Sequence, residues 1–305
     1  MEEYISDNSL YIRSKNNSMI NRKMIGRVLG MLLFIELGMF LLCAGVSAGY
    51  GESDYKYFLY TCIINAVVGG LLLLYGRGAE NKMSRRDGYC VVTLSWVFFT
   101  FFGMLPFYFS GSIDTITNAF FETMSGFTTT GATILDDIES LSHGMLFWRS
   151  LTQWIGGLGI VFFTIAILPI FTTGGVQLFS AESTGVTHDR THPKINVMAK
   201  WLWTIYLVLT VSETVLLMFG GMSLFDAICQ SFATTATGGY STKQNSISYW
   251  NSPYIEYVVA IFMIVSSINF SLFLMCLKGK VGRLFKDEEL HWLSLIHISE
   301  PTRRV

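Results

Sequence analysis

The chain has 305 residues, of which 51% are hydrophobic and 14% charged, with a formal net charge of −1. An average soluble domain carries roughly a quarter charged residues, so this composition weighs against a soluble globular body, and the near-neutral charge gives no basis for nucleic-acid binding. The apolar residues fall in long blocks rather than at strand or helix periodicity, and blocks of about 20 residues match the thickness of a bilayer core.

In chain order the apolar blocks are Met24–Ala48, Tyr57–Tyr75, Gly88–Phe109, Met145–Phe171, Ile195–Phe219 and Tyr254–Leu277. Each is expected to span as a helix, because a helix satisfies its own backbone in lipid. The first is too long for a signal-peptide core and is expected to remain as an anchor. The cysteines (Cys43, Cys62, Cys90, Cys229 and Cys276) are odd in number and scattered. They read as small packing residues rather than a disulfide framework.

Basic residues set the orientation. They gather in the N-terminal arm (Arg13, Lys15, Arg22, Lys23, Arg27), after the second block (Arg77, Lys82, Arg85, Arg86), after the fourth (Arg190, Lys194, Lys200) and after the sixth (Lys278, Lys280, Arg283, Lys286). If every block spans, these segments share one side, which the positive-inside rule makes cytoplasmic.

The two longest external connections, Ser110 to Gly144 and Gly220 to Pro253, each hold an apolar stretch too short to span: Ile116–Phe127 and Leu224–Ala233. Stretches of about 10–14 residues read as buried or re-entrant. Each runs into a Thr/Gly cluster, Thr128-Thr129-Thr130-Gly131-Ala132-Thr133 and Thr235-Ala236-Thr237-Gly238-Gly239-Tyr240-Ser241-Thr242. Gly131 and Gly238 stand about 107 residues apart, and the flanking blocks repeat at nearly the same spacing. Asn118 and Asp226 precede the two loops and are expected to cap the short helices. The expected architecture is all-α and integral to the membrane. Six transmembrane helices carry two re-entrant pore loops, in two parallel helix–loop–helix repeats preceded by an extra helix pair.

A pore passing a dehydrated cation must replace its water with oxygen ligands, which backbone carbonyls supply. Glycine reaches the backbone angles that point successive carbonyls inward, and threonine adds a hydroxyl. The short helix behind each loop aims its partly negative C-terminal end at the ion. Oxygens without a fixed carboxylate suit a monovalent cation better than calcium.

At these loops the sequence resembles the Trk/Ktr/HKT superfamily of potassium transporters, most closely its bacterial TrkH type. The resemblance is carried by Phe120 to Thr133, by Trp148 to Gly159, by Ala181-Glu182 with His192 to Ile195, by Ala236 to Thr242 and by Ile268-Asn269-Phe270. It implies K⁺ uptake across the plasma membrane, with Thr129, Thr130, Gly131, Ala236, Thr237 and Gly238 at the selectivity-filter positions and K⁺ as the transported ion. It also implies a pseudo-fourfold pore, a homodimer, and a cytosolic TrkA-type nucleotide-binding regulatory subunit. Such a pore takes four repeats, and two are present here. Segment Leu293–Val305 departs from the resemblance and reads as translated sequencing adapter, so the chain is expected to be the N-terminal half of a longer transporter. The expected units are 1–87 (arm and extra helix pair), 88–194 (first repeat), 195–292 (second repeat) and 293–305 (non-native tail). Alternatives are an Na⁺-permeable or Na⁺-coupled transporter of the same superfamily, whose mark would be a filter Gly-to-Ser difference, and a non-conducting membrane scaffold.

Ionisable residues in apolar surroundings are further candidates. Glu122 is expected to hydrogen-bond the filter scaffold or to charge the outer vestibule, and Glu213 to brace the second loop. Glu36 is expected to pair with another helix, Arg149 to hold the first loop or snorkel, and Asn269 to face the pore. Gly156, Gly157 and Gly159 would permit close helix approach. His188 and His192 have the spacing of a metal pair but lack further ligands. No phosphate-binding glycine fingerprint or catalytic triad is evident, so neither an organic cofactor nor enzymatic activity is expected.

Overall fold

A computed structural model describes residues 20–79, 84–159 and 195–268. Among the described residues every regular element is helical. Helix α1 (Arg22–Gly49) begins at Asn21, whose side chain accepts the Met24 N–H at 3.1 Å. Helix α2 (Tyr55–Tyr75) returns after a tight turn. Helix α3 (Arg85–Gly103) opens with a capping box, in which Ser84 and Asp87 each accept the other's backbone N–H. Pro106 lacks an N–H and interrupts the ladder, so the helix breaks at Met104 and resumes as α4 (Leu105–Ser110). Then come α5 (Ile116–Phe127), α6 (His143–Gly157), α7 (Ile195–Phe219) and α8 (Leu224–Thr235). A 3₁₀ turn (Ser246–Trp250) and α9 (Pro253–Ser267) complete the described residues.

Among the described residues, four helical stretches are long and apolar enough to cross a membrane: Arg22–Gly49, Tyr55–Tyr75, Arg86–Ser110 and Trp201–Phe219. They answer to the first, second, third and fifth expected spans. For the fourth and sixth, α6 and α9 supply the described part. The continuations to Phe171 and Leu277 lie outside the described residues, as do Cys276, His188, His192, Asn269 and the tail from Leu293.

The distribution of residue types is inverted relative to a water-soluble fold. Leu42, Ile63, Leu71 and Phe219 face outward, while Glu36, Asn65, Gln153 and Glu213 have no exposed surface. Lipid accepts the apolar faces, and the polar groups must find partners inside.

Helix α1 packs on α2, α3 and α6, α6 lies between α5 and α8, and α8 also touches α7 and α9. The larger core centres on Trp148, whose ring lies 4.6 Å from that of Phe40 and whose Nε1–H donates to the Gly103 carbonyl at 2.9 Å. A second cluster joins Leu217 and Met222 to Ile255, Val258 and Val259. The Asn21 N–H donates to Asp87 Oδ1 at 2.8 Å, tying the start of α1 to the start of α3. At the other end of α1, Glu52 in the α1–α2 turn accepts from the His143 N–H (2.8 Å) and the Gly144 N–H (3.3 Å). The starts of α1 and α3 therefore share one side, and α6 starts on the other.

Candidate functional site

The short helix α5 ends where the sequence placed it, and α8 runs two residues past the expected Ala233. Both begin at the expected residues, Ile116 and Leu224, but their caps differ from expectation. The caps are Thr115 and Ser223, which accept the N–H of Asn118 (3.2 Å) and Asp226 (3.1 Å). Asn118 and Asp226 stand three residues inside, and the hydroxyls of Thr115 and Ser223, themselves good cap residues, take the role instead.

The two C-terminal ends are built alike. The Thr129 N–H donates to the Gly126 carbonyl and the Thr130 N–H to the Ser125 carbonyl, both at 2.9 Å. In the second copy the Thr237 N–H donates to Thr234 and the Gly238 N–H to Ala233, again at 2.9 Å. This is the Schellman arrangement, which needs a left-handed residue just beyond the helix, usually glycine. Here Thr129 (φ 53°) and Thr237 (φ 54°) fill it. A β-branched residue in that region costs about 1–2 kcal/mol, and strain of this kind collects at functional sites.

Two residues on, Gly131 (φ 75°) and Gly239 (φ 83°) turn left-handed again. The sequence pairs Gly131 with Gly238, whereas the backbone pairs Gly131 with Gly239, and Gly238 answers to Thr130. One constant offset then relates caps, helices, threonines and glycines. The Gly-Gly pair in the second loop hid this register.

The loops meet each other. A Cβ on Gly131 would collide with the Gly238 carbonyl oxygen, and one on Gly238 would collide with the Gln153 side-chain amide. Glycine is required at both contacts for space and at Gly131 also for its φ. A Cβ on Gly156 would strike the Phe127 carbonyl, so the close approach expected of that glycine is realised against the end of α5.

A buried polar network holds the loops from behind. Glu122 Oε1 accepts from Arg149 Nε at 2.8 Å and from the Thr133 hydroxyl at 3.0 Å, and Oε2 accepts from the Ile134 N–H at 3.0 Å. Side-chain exposure is 2% for Arg149 and 0% for Glu122. Arg149 therefore does not snorkel. Its Nη1 donates to the Ser241 carbonyl at 2.9 Å, and its guanidinium lies 3.7 Å from the Tyr240 ring centre. The Tyr240 hydroxyl donates to the Glu122 carbonyl at 2.8 Å. The Ser125 hydroxyl donates to the Ala132 carbonyl at 2.6 Å, and Gln153 Oε1 accepts the Tyr240 N–H at 3.0 Å. Arg149 thus bridges both copies, as do Tyr240 and Gln153.

Glu36 accepts from Asn65 Nδ2 at 3.0 Å, joining α1 to α2 as a partner on another helix. Glu213 lies beside Thr234 on α8, but neither carboxyl oxygen makes a hydrogen bond to a described residue. Gln153, Tyr240 and Ser125 were not singled out by sequence. The available signal for Gln153 is an amide inside an apolar block, and for Tyr240 its place beside the second glycine.

Known proteins share this organisation. The family described as TrkH, cation transport protein, matches residues 55–304. The Trk system potassium uptake protein TrkH of Escherichia coli (strain K12) is 41% identical over 268 residues, covering 87% of this chain and 56% of that protein. The protein of the same name from Halomonas elongata is 36% identical over 276 residues, covering 90% of this chain and 57% of that one. The crystal structure of the potassium transporter TrkH from Vibrio parahaemolyticus superposes with a TM-score of 0.78 at 33% identity, covering 92% of this chain and 57% of that chain. The chain thus spans little more than half the length of these relatives. With matched residues across most of its own length, the chain belongs to the TrkH family of cation transport proteins.

Proposed function

We propose that the chain supplies two of the four sides of a channel-like potassium uptake pore. The observation that carries this is the recurrence of one backbone pattern. A short helix, a left-handed threonine and a left-handed glycine appear twice in register, and the two loops touch. Two helix C-termini converge on the loops and bias them toward a cation. Matching relatives named as potassium uptake proteins point to K⁺.

In this reading Thr129, Thr130, Gly131, Ala236, Thr237 and Gly238 line the ion path, and the backbone register adds Gly239. Six spans carry the two loops as re-entrant segments, with the N-terminus cytoplasmic and the protein in the plasma membrane. Two further repeats, in the length of the relatives beyond the match, close the ring. The assembly is a homodimer regulated by a cytosolic TrkA-type nucleotide-binding subunit. Ions move passively, and a potential of 100 mV favours entry by about 2.3 kcal/mol per charge.

The test is flux into liposomes carrying the full-length protein. Inward K⁺ or Rb⁺ movement is expected, with K⁺ preference reduced by Gly131→Ser. Absence of flux, with no effect of the substitution, overturns the reading and favours a non-conducting scaffold. The 305-residue chain alone is expected to conduct little, and robust selective flux from it would remove the need for the other repeats.

A further inference from the structure

We infer that Gln153 is a positioning and selectivity-determining residue for both glycine loops, acting through the two ends of one buried amide. This rests on the pore reading above. Gln153 lies on α6, has no exposed surface, and belongs to neither loop. The orientation of its amide is fixed chemically. The Tyr240 N–H needs an acceptor and finds the side-chain oxygen at 3.0 Å, so the opposite end must be the NH₂ group.

That NH₂ is buried and has no hydrogen-bond partner among the described residues. A buried donor left unsatisfied is costly, about 1–3 kcal/mol, so its persistence calls for a use. What surrounds it is the crossing of the two loops. It lies 2.7 Å from the Cβ position of Gly238 and 3.8 Å from that of Gly131. The carbonyl of Gly238 points at Gly131 in the same place.

Gln153 therefore offers its oxygen to the second loop and an unspent donor to the crossing. A loop carbonyl that swings away from the ion path meets this donor, whereas one turned onto an ion leaves it. The amide thus holds the second loop through the Tyr240 N–H and biases the balance between ion-facing and turned-away carbonyls at the crossing. Since ions of different size draw the carbonyls in by different amounts, that balance bears on which cation is preferred. Gly238 has no side chain because the amide occupies that volume.

The experiment compares wild type, Gln153→Glu and Gln153→Leu in the full-length protein, reconstituted in liposomes, with K⁺ and Na⁺ flux read separately. Gln153→Glu keeps the length and the oxygen that accepts the Tyr240 N–H but removes the NH₂. Gln153→Leu removes both ends. Both variants are expected to elute as folded protein and to conduct, with the K⁺/Na⁺ flux ratio lowered by about tenfold, the scale of one buried hydrogen bond. An unchanged ratio in conducting Gln153→Glu overturns the inference. Failure of both variants to fold also overturns it, by making the role purely structural. A wild type that passes neither ion overturns the pore reading itself, and this inference with it.

Discussion

Replacing Arg149 with Met removes a buried cation that joins the two repeats. The guanidinium is buried against an equally buried carboxylate at 2.8 Å, so solvent cannot take over its role. Removing one partner of such a pair costs roughly 3–5 kcal/mol, because the other charge is left uncompensated. Glu122 would keep only the Thr133 hydroxyl and the Ile134 N–H, both at 3.0 Å. The Ser241 carbonyl would lose its donor and the Tyr240 ring its cation, which places the loss near the upper end, about 5 kcal/mol. Thermal unfolding of purified protein in detergent reads this as a fall in apparent Tm of roughly 10 °C or more. The decisive comparison is the double variant with Glu122→Gln, which removes the orphaned charge. It is expected to recover about 2 kcal/mol relative to Arg149→Met alone. An Arg149→Met protein as stable as wild type, or a double variant whose losses simply add, would refute the buried bridge.

Other outcomes follow from the same geometry. Gly131→Ala places a methyl on the Gly238 carbonyl at a φ of 75°, and like Gly131→Ser is expected to reduce K⁺ preference in reconstituted full-length protein while leaving its helix content by circular dichroism unchanged. Tyr240→Phe deletes a hydrogen bond to the Glu122 carbonyl and is expected to cost about 1 kcal/mol in the same unfolding assay, with the larger effect on K⁺ preference. Glu52, in the α1–α2 turn, feels burial that would raise its pKa, but the His143 and Gly144 N–H groups and the His143 ring outweigh it and hold the carboxyl below its ordinary value. A depressed carboxyl stabilises the fold above its unfolded pKa, and that contribution is lost as pH falls through the folded value, below about 4.3. Glu52→Gln is thus expected to lower Tm at neutral pH and to converge with wild type in acid; a gap that persists at low pH would show that the charge is not responsible.

What could be read from sequence was what short segments decide for themselves. The span from Ile116 to Phe127 was legible because a brief apolar run sits between a polar start and a Thr/Gly cluster, and the helix ends where a left-handed residue takes over. The break at Met104 was hidden because α3 and α4 together read as one apolar stretch, although Pro106 marks it locally. Glu122 and Arg149 stood out as charges in apolar surroundings, yet their pairing bridges 27 residues and depends on how α5 meets α6. The contacts of Arg149 with the Ser241 carbonyl and of Gln153 with the Tyr240 N–H involve backbone groups, which no side-chain pattern announces. The register of the second loop was hidden because two adjacent glycines look alike in sequence and differ only in φ.

The match between the copies holds for the backbone and fails for the side chains. Where the first loop has Ala132, the second has Tyr240, and its ring extends across to hang from the first copy's Glu122 carbonyl. Where α5 carries Glu122, α8 carries the uncharged Gln230. The junction therefore has a direction: one repeat presents the plug and the other the socket. Two copies of the first repeat would leave the socket empty, and two of the second would leave the tyrosine with neither the arginine nor the carboxylate, both of which the first repeat supplies. The two repeats are therefore unlike units that fit together in one order only.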